Sequence, residues 1–203
     1  MGRLILQMMI SLDGMVSGPE GELDWMTLDE GVNREHLARL ERADAVVMGT
    51  GLYPGMPDYW KAAANDEKAE PVIRAIGRAM TQTPIIVYSH RHVPVKPHDE
   101  LRVVDNDRTF AQDIERLKRK TDGTLVTYGG VRLARSLVQQ HLLDEIHLDI
   151  CPVILGEGQP LFNDVADRMN LRLIESASYG SGAAMVHYEV MKAAQSAATR
   201  HTH

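Results

Sequence analysis

The chain predicts an α/β protein: a mostly parallel, twisted sheet with helices on both faces and an antiparallel hairpin region at the carboxyl end. Three observations predict it. Short continuous apolar runs, Ala45-Val46-Val47-Met48, Ile85-Ile86-Val87-Tyr88 and Leu125-Val126-Thr127-Tyr128, have the length and composition of strands buried on both faces. Between them lie segments whose apolar residues recur at helical spacing, and strands joined by helical crossovers pair in parallel. After Asp144 the helical spacing stops, and three strand-like runs follow without helices between them.

Taken in order, Met1 to Ile10 supplies a first strand, broken at Ser11-Leu12-Asp13-Gly14 and again by the turn formers Ser17-Gly18-Pro19-Glu20-Gly21. Asn33 is placed to cap a helix carrying Leu37 and Leu40 on one face, and the strand at Ala45 then ends at Gly49. Residues 50–60 hold two prolines, two glycines and three aromatics, which predicts a loop. Val72, Ile73, Ile76 and Met80 mark a helix, and Ile85 to Tyr88 a strand that stops at Ser89-His90-Arg91-His92. Leu101-Arg102-Val103-Val104 is a further strand. Thr109 with Gln112 matches a capping box for a helix presenting Phe110, Ile114 and Leu117, closed by Lys118-Arg119-Lys120 against the helix dipole. Leu125 to Tyr128 ends at Gly129-Gly130, and Ala134, Leu137, Val138 and His141 line the next helix. Ile146, Leu148 and Ile150 then alternate with His147, Asp149 and Cys151, and Leu171–Ala177 and Ala184–Met191 complete the strands.

A length of 203 residues fits one domain, placed at 1–192, with residues 193–203 expected as a frayed tail that includes His201 and His203. The formal charge, 22 basic against 28 acidic residues, is −6 with the signs interspersed, so nothing builds the positive field that nucleic acid or anionic lipid requires. The apolar stretch at the amino terminus is too short to span a membrane, and Leu6 stands where a myristoylation signal wants Ser or Thr. Cys151 is the only cysteine, which excludes an internal disulfide or a thiolate cluster and makes the cytoplasm the expected compartment.

Chemistry is expected where the parallel strands end, because ligands of open α/β sheets sit outside those carboxyl ends. Gly49-Thr50-Gly51, Ser89-His90-Arg91 and Gly129-Gly130 would all border one crevice. Gly129-Gly130 between a strand and a helix start suits a pyrophosphate, or equally a tight turn with close packing. Arg91 is placed to take the 2′-phosphate that separates NADP from NAD, or to be a solvated loop arginine. A Rossmann fingerprint fails because Tyr53-Pro54 falls where its helix should begin, and no phosphate-binding loop of the nucleotidase type occurs. The nine histidines show no metal-ligand spacing, His147 and His187 being packing or surface residues, so no metal is expected. Cys151 beside Pro152 is a small buried hydrophobe, which leaves no nucleophile. Asp13, Asp24, Asp29, Glu30 and Asp58 are carboxylates near the crevice. Trp25, Tyr53, Tyr59 and Trp60 either stack on a planar heterocycle or fold back onto the core.

In order and spacing, Met9-Ile10-Ser11-Leu12-Asp13-Gly14, Val46-Val47-Met48-Gly49, Thr127-Tyr128-Gly129-Gly130, Leu142-Leu143-Asp144-Glu145-Ile146 and Pro152-Val153-Ile154-Leu155-Gly156 resemble one family. It is the dihydrofolate-reductase-like superfamily, specifically the reductase domain at the carboxyl end of the bifunctional riboflavin-biosynthesis deaminase/reductase, over residues 3 to 191. The resemblance implies a stand-alone, NADPH-dependent member of the 5-amino-6-(5-phosphoribosylamino)uracil reductase type and a homodimer made through the carboxyl-terminal strands. It implies cofactor contacts at Gly49, Thr50, Ser89, His90, Arg91, Gly129, Gly130, Val131, Arg132, Leu155 and Gly156. Asp13 falls beside the reacting groups, as catalytic residue. Met9, Trp25, Glu30 (or Asp29), Tyr53, Asp58, Trp60 and Pro152 fall on the substrate side.

Two departures stand out. The zinc deaminase domain is missing, and the family's Asp-Pro-x-Leu stretch with basic residues is replaced by an aromatic segment holding Asp58 and Lys61, which points away from a phosphorylated substrate. The reading is hydride transfer to a C=N or C=O carbon, with the proton from Asp13, another crevice carboxylate of raised pKa, or water. The alternative is a catalytically inactive NADP-binding protein acting as sensor or partner. A third, a flavodoxin-like FMN binder, lacks its phosphate loop after the first strand.

Overall fold

The computed structural model describes residues 1–27, 29–163 and 165–192; the stretch expected as a frayed tail lies outside them. The chain runs β1 (Arg3–Ser11), β2 (Met15–Ser17), α1 (Glu30–Glu41), β3 (Ala43–Gly49), α2 (Gly55–Asn65), α3 (Pro71–Gln82), β4 (Ile85–Ser89) and β5 (Glu100–Val103). It continues with α4 (Asp107–Lys120), β6 (Thr124–Thr127), α5 (Val131–Gln139), β7 (Glu145–Cys151), β8 (Gln159–Pro160), β9 (Asn170–Ser178) and β10 (Ala184–Met191). The large sheet has the order β5-β4-β3-β6-β1-β7-β10-β9, and β2 pairs with β8 apart from it. Every pairing from β5 to β7 is parallel; β10 is antiparallel to both β7 and β9. This is the mixed sheet that the sequence predicts.

The alternation of side chains along each strand sends two sets of residues to opposite faces. On one face Leu4, Leu6 and Ile10 of β1 join Val47, Ile86 and Leu125 beneath Phe110, Ile114 and Leu117 of α4 and Leu133, Leu137 and Val138 of α5. On the other, Val46, Met48, Ile85 and Val87 pack with Leu40 of α1 and Ile76 and Met80 of α3. A Cβ on Gly77 of α3 would stand 2.4 Å from the Trp60 carbonyl oxygen, so the bare glycine lets α2 lie directly on α3.

Four local expectations are corrected, the first being His141, which lies beyond the end of α5 in a turn with φ of 55° rather than on the helix. Residues 50–60 are not all loop, because α2 starts at Gly55. Pro54 serves as its N-cap and Pro57 lies in its first turn, positions where a missing N–H costs no hydrogen bond. The cap of α1 is Asp29, whose side chain accepts from the Val32 N–H, and Asn33 is buried within the first turn. The capping box of α4 pairs Asn106 with Thr109 rather than Thr109 with Gln112, which starts that helix at Asp107.

Candidate active site

β4, β3 and β6 lie side by side, and their register brings three predicted segments to one level. Gly49 pairs with Tyr88, one residue before Ser89, and Val47 pairs with Thr127, which sets Gly49 level with Gly129. Gly129 and Gly130 have φ of 99° and 64°, where L side chains are strained. A Cβ on Gly129 would also meet the Met8 methyl at 2.8 Å. Gly130 caps α5 with no side-chain hydrogen bond, so its first-turn N–H groups, including those of Val131 and Arg132, have no side-chain acceptor at the cap. The turn after β3, with Thr50 exposed, approaches them: a Cβ on Gly130 would stand 3.8 Å from Leu52. An uncapped helix start beside a glycine turn is a ready site for a phosphate.

At the end of β4 the Ser89 carbonyl accepts from Val104 N–H and its hydroxyl accepts from the Arg91 N–H at 3.2 Å. His90 Nδ1 lies 2.9 Å from the Val104 carbonyl, so that nitrogen carries the proton and donates. The short segment after β4 is thereby fixed, while the Arg91 side chain stays exposed.

Asp13 holds two distant loops together. Its carboxylate accepts from the Ser11 hydroxyl at 2.6 Å, from Gly156 N–H at 2.8 Å and from Leu155 N–H at 3.2 Å. Those bonds, Ser11's first, lower its pKa to about 2. The expected raised pKa is therefore not met: Asp13 is ionised at neutral pH and has no proton to give. The neighbouring β2–β8 pair fastens the same two loops, and Pro152 is exposed at the end of β7.

The substrate-side expectations divide. Met9 is buried in mid-sheet opposite Asp149. Tyr53 folds back onto the core, its hydroxyl donating to Asp99 at 2.8 Å and accepting from Lys96 N–H at 2.7 Å. Asp58 is paired with Lys96, Glu30 with Arg34 on the exposed side of α1, and Trp60 packs against Tyr59 and the α3 core. The Trp25 indole N–H donates to the Glu22 carbonyl. Asp29 caps α1 and also accepts from Ser181 N–H, tying that helix to the β9–β10 turn.

Sequence reasoning missed a polar layer beneath α1. Register sets Gln7, His147 and His187 in one row across β1, β7 and β10, with Met9, Asp149 and Met185 in the next. From α1, Arg39 donates to Gln7 Oε1 at 2.8 Å and to His147 Nδ1 at 3.0 Å, and His36 Nε2 meets Asp149 Oδ2 at 2.8 Å. A guanidinium cannot accept, so His147 is the neutral tautomer with its proton on Nε2. Burial also pushes the His147 pKa down. Burial alone would push the Asp149 carboxyl up, but the His147 Nε2–H group, 3.7 Å from Oδ1, and the His36 ring bonded to Oδ2 outweigh it and hold it below the usual carboxylate range.

Gln7 Nε2, Arg39 Nη2, Tyr128 Oη, His147 Nε2, Asp149 Oδ1 and Tyr179 Oη are buried without hydrogen-bond partners among the described residues. Each such group costs about 1–3 kcal/mol. The signal was present in the alternation of β7: a central strand covered on both faces should be apolar throughout, yet His147 and Asp149 interrupt it.

The sequence model of the RibD C-terminal domain matches residues 3–185. The uncharacterized protein YyaP of Bacillus subtilis strain 168 is 27% identical over 186 residues, covering 92% of this chain and 94% of that protein. Among solved structures, a putative riboflavin biosynthesis protein from Shewanella sp. PV-4 superposes with a TM-score of 0.67 at 22% identity, over 94% of this chain and 99% of the other. Dihydrofolate reductase from Enterococcus faecalis, complexed with NADP(H) and RAB-propyl, superposes with a TM-score of 0.61 at 14% identity, over 94% and 98%. The fold is dihydrofolate-reductase-like, and the match along nearly the whole length makes this chain a member of the RibD C-terminal domain family.

Proposed function

We propose that the protein is an NADPH-dependent reductase that adds hydride to a C=N or C=O carbon of a small heterocyclic substrate. The observation that carries this reading is the convergence of Gly49, Ser89 and Gly129 at adjacent strand ends over the uncapped start of α5. The residues present fit the dinucleotide: the bare backbone of Gly129-Gly130 with the Val131 and Arg132 N–H groups would hold the pyrophosphate, and exposed Arg91, with Ser89 and His90, the 2′-phosphate. Bound there, reduced nicotinamide supplies the hydride. The chain supplies position, and the Asp13 clamp on Leu155 and Gly156 fixes the loop beside the strand ends. The exposed outer strand β9, with Leu171 and Leu173 uncovered, is the surface this reading assigns to a second copy of the chain.

Replacing Arg91 by Ala is the test. Loss of a charge-assisted contact to phosphate should weaken NADPH about 10- to 100-fold and leave NADH within about twofold. Equal losses on both cofactors would remove Arg91 from the site. Binding of NADPH without its oxidation by dihydrofolate or 5-amino-6-(5-phosphoribosylamino)uracil would favour the inactive NADP-binding protein instead.

A further inference from the structure

The reaction just proposed needs a proton as well as a hydride, and Asp13 is already ionised with its carboxylate given to Ser11, Leu155 and Gly156. The polar layer under α1 offers a different donor. Asp149 is fully buried on β7, two residues before the strand ends at Cys151, and it faces α1 beside Met9. His36, on the middle of α1, places Nε2 2.8 Å from Asp149 Oδ2, and its side chain keeps 14% of its surface in solvent. A buried carboxylate holding one nitrogen of a mostly buried imidazole that keeps an edge in solvent fixes the ring and leaves the other nitrogen, Nδ1, for proton exchange. The helix bearing it is anchored at the strand ends, because Asp29 at its start bonds the Ser181 N–H of the β9–β10 turn.

The rest of the layer is poorly explained as packing. Arg39 and His36 cover the sheet where leucines would serve, and six polar atoms of the layer are buried without hydrogen bonds among the described residues. Of these, Arg39 Nη2 keeps only an ion-pair contact with Glu35, and His147 Nε2 one with Asp149 Oδ1, each at 3.7 Å. The groups that face this pair are Arg39 and Glu35 from α1, His147 from β7, His187 with Glu145 at the edge of the layer, Tyr128 after β6 and Tyr179 before β10. His147, neutral and bonded to Arg39, presents no second cation to His36.

Resting on the reductase reading, we propose that His36 is the proton donor of the reaction and that Asp149 is its positioning residue. The reduced dinucleotide would give carbon a hydride, one proton with two electrons, and be left oxidised. The substrate nitrogen or oxygen takes the proton from His36 Nδ1, and the neutral ring recovers a proton from water.

The experiment compares the whole chain with His36→Gln, His36→Ala and Asp149→Asn, using 7,8-dihydrofolate and 5-amino-6-(5-phosphoribosylamino)uracil as hydride acceptors. NADPH affinity is measured separately by fluorescence. A third readout is the His36 ring NMR signal, assigned by its loss in His36→Gln, in protein saturated with NADP+ before and after each acceptor is added. The proposal expects kcat to fall about 100-fold or more in His36→Gln with NADPH affinity within about twofold. It also expects the pH–rate profile to lose the limb that wild type shows, imidazole to restore part of the rate in His36→Ala, and the ring signal to move with the acceptor that is turned over. An unchanged kcat and profile in His36→Gln, with wild type active, overturns the assignment and leaves the reductase reading standing. NADPH binding with neither acceptor reduced and no movement of the ring signal overturns it also. Absence of NADPH binding sinks both.

Discussion

Asp13 is exposed, yet its carboxyl is held at a pKa of about 2 because the Ser11 hydroxyl and the Gly156 N–H bond its ionised form more strongly than its neutral one. A folded-state pKa below the ordinary 3.8 means that the clamp stabilises the fold above about pH 4 and is lost as pH falls through about 2. Carboxyl NMR should therefore give Asp13 a midpoint near 2, with the Leu155 and Gly156 amides losing protection over the same range; a midpoint at or above 4 would contradict the clamp. The sequence places Asp13 beside the chemistry but does not show which role it has, since its partners at 155 and 156 are far away along the chain. The turn at Gly129-Gly130 was legible because a glycine pair between an apolar run and a helical pattern marks a tight strand-to-helix connection. His36 and Arg39 were not, because on a helix surface charged side chains usually face water, and only the sheet beneath shows that these face inward.

At the scale of elements, periodicity located every long strand and most helices, and failed where two effects pulled apart. Proline density argued against α2, although Pro54 and Pro57 sit at the only end of a helix that tolerates them. The caps of α1 and α4 were displaced because several Asx and Thr residues competed within a few positions, and tertiary contacts, such as Asp29 to Ser181, select among them. The contact of α2 with α3 depends on one residue. At Gly77 an added methyl would meet the Trp60 oxygen and the Ala64 nitrogen, both backbone atoms that cannot rotate away. Gly77→Ala, ordinarily favourable within a helix, should here destabilise the protein by about 1–3 kcal/mol in urea unfolding. A neutral or stabilising result would show that the two helices are not packed this closely.

For the whole molecule, the strand order carries the functional argument. The sheet was predictable as parallel with an antiparallel end, but a list of strands does not give their neighbours. The order β4-β3-β6-β1-β7 turns segments near positions 13, 49, 89, 129 and 155 into parts of one region. The segment at 50–60 turns into α2 from Gly55, which carries Asp58 to Lys96, while Tyr53 just before it bonds Asp99. No helix of the described residues is long and apolar enough to cross a membrane. The most direct test of a single dinucleotide berth is an NMR titration of the whole chain with NADPH, following backbone amides. Saturable binding that shifts Gly49, Ser89, Gly129 and Val131 together is the expected result. No binding at millimolar NADPH, or shifts confined to a surface away from these strand ends, would contradict it.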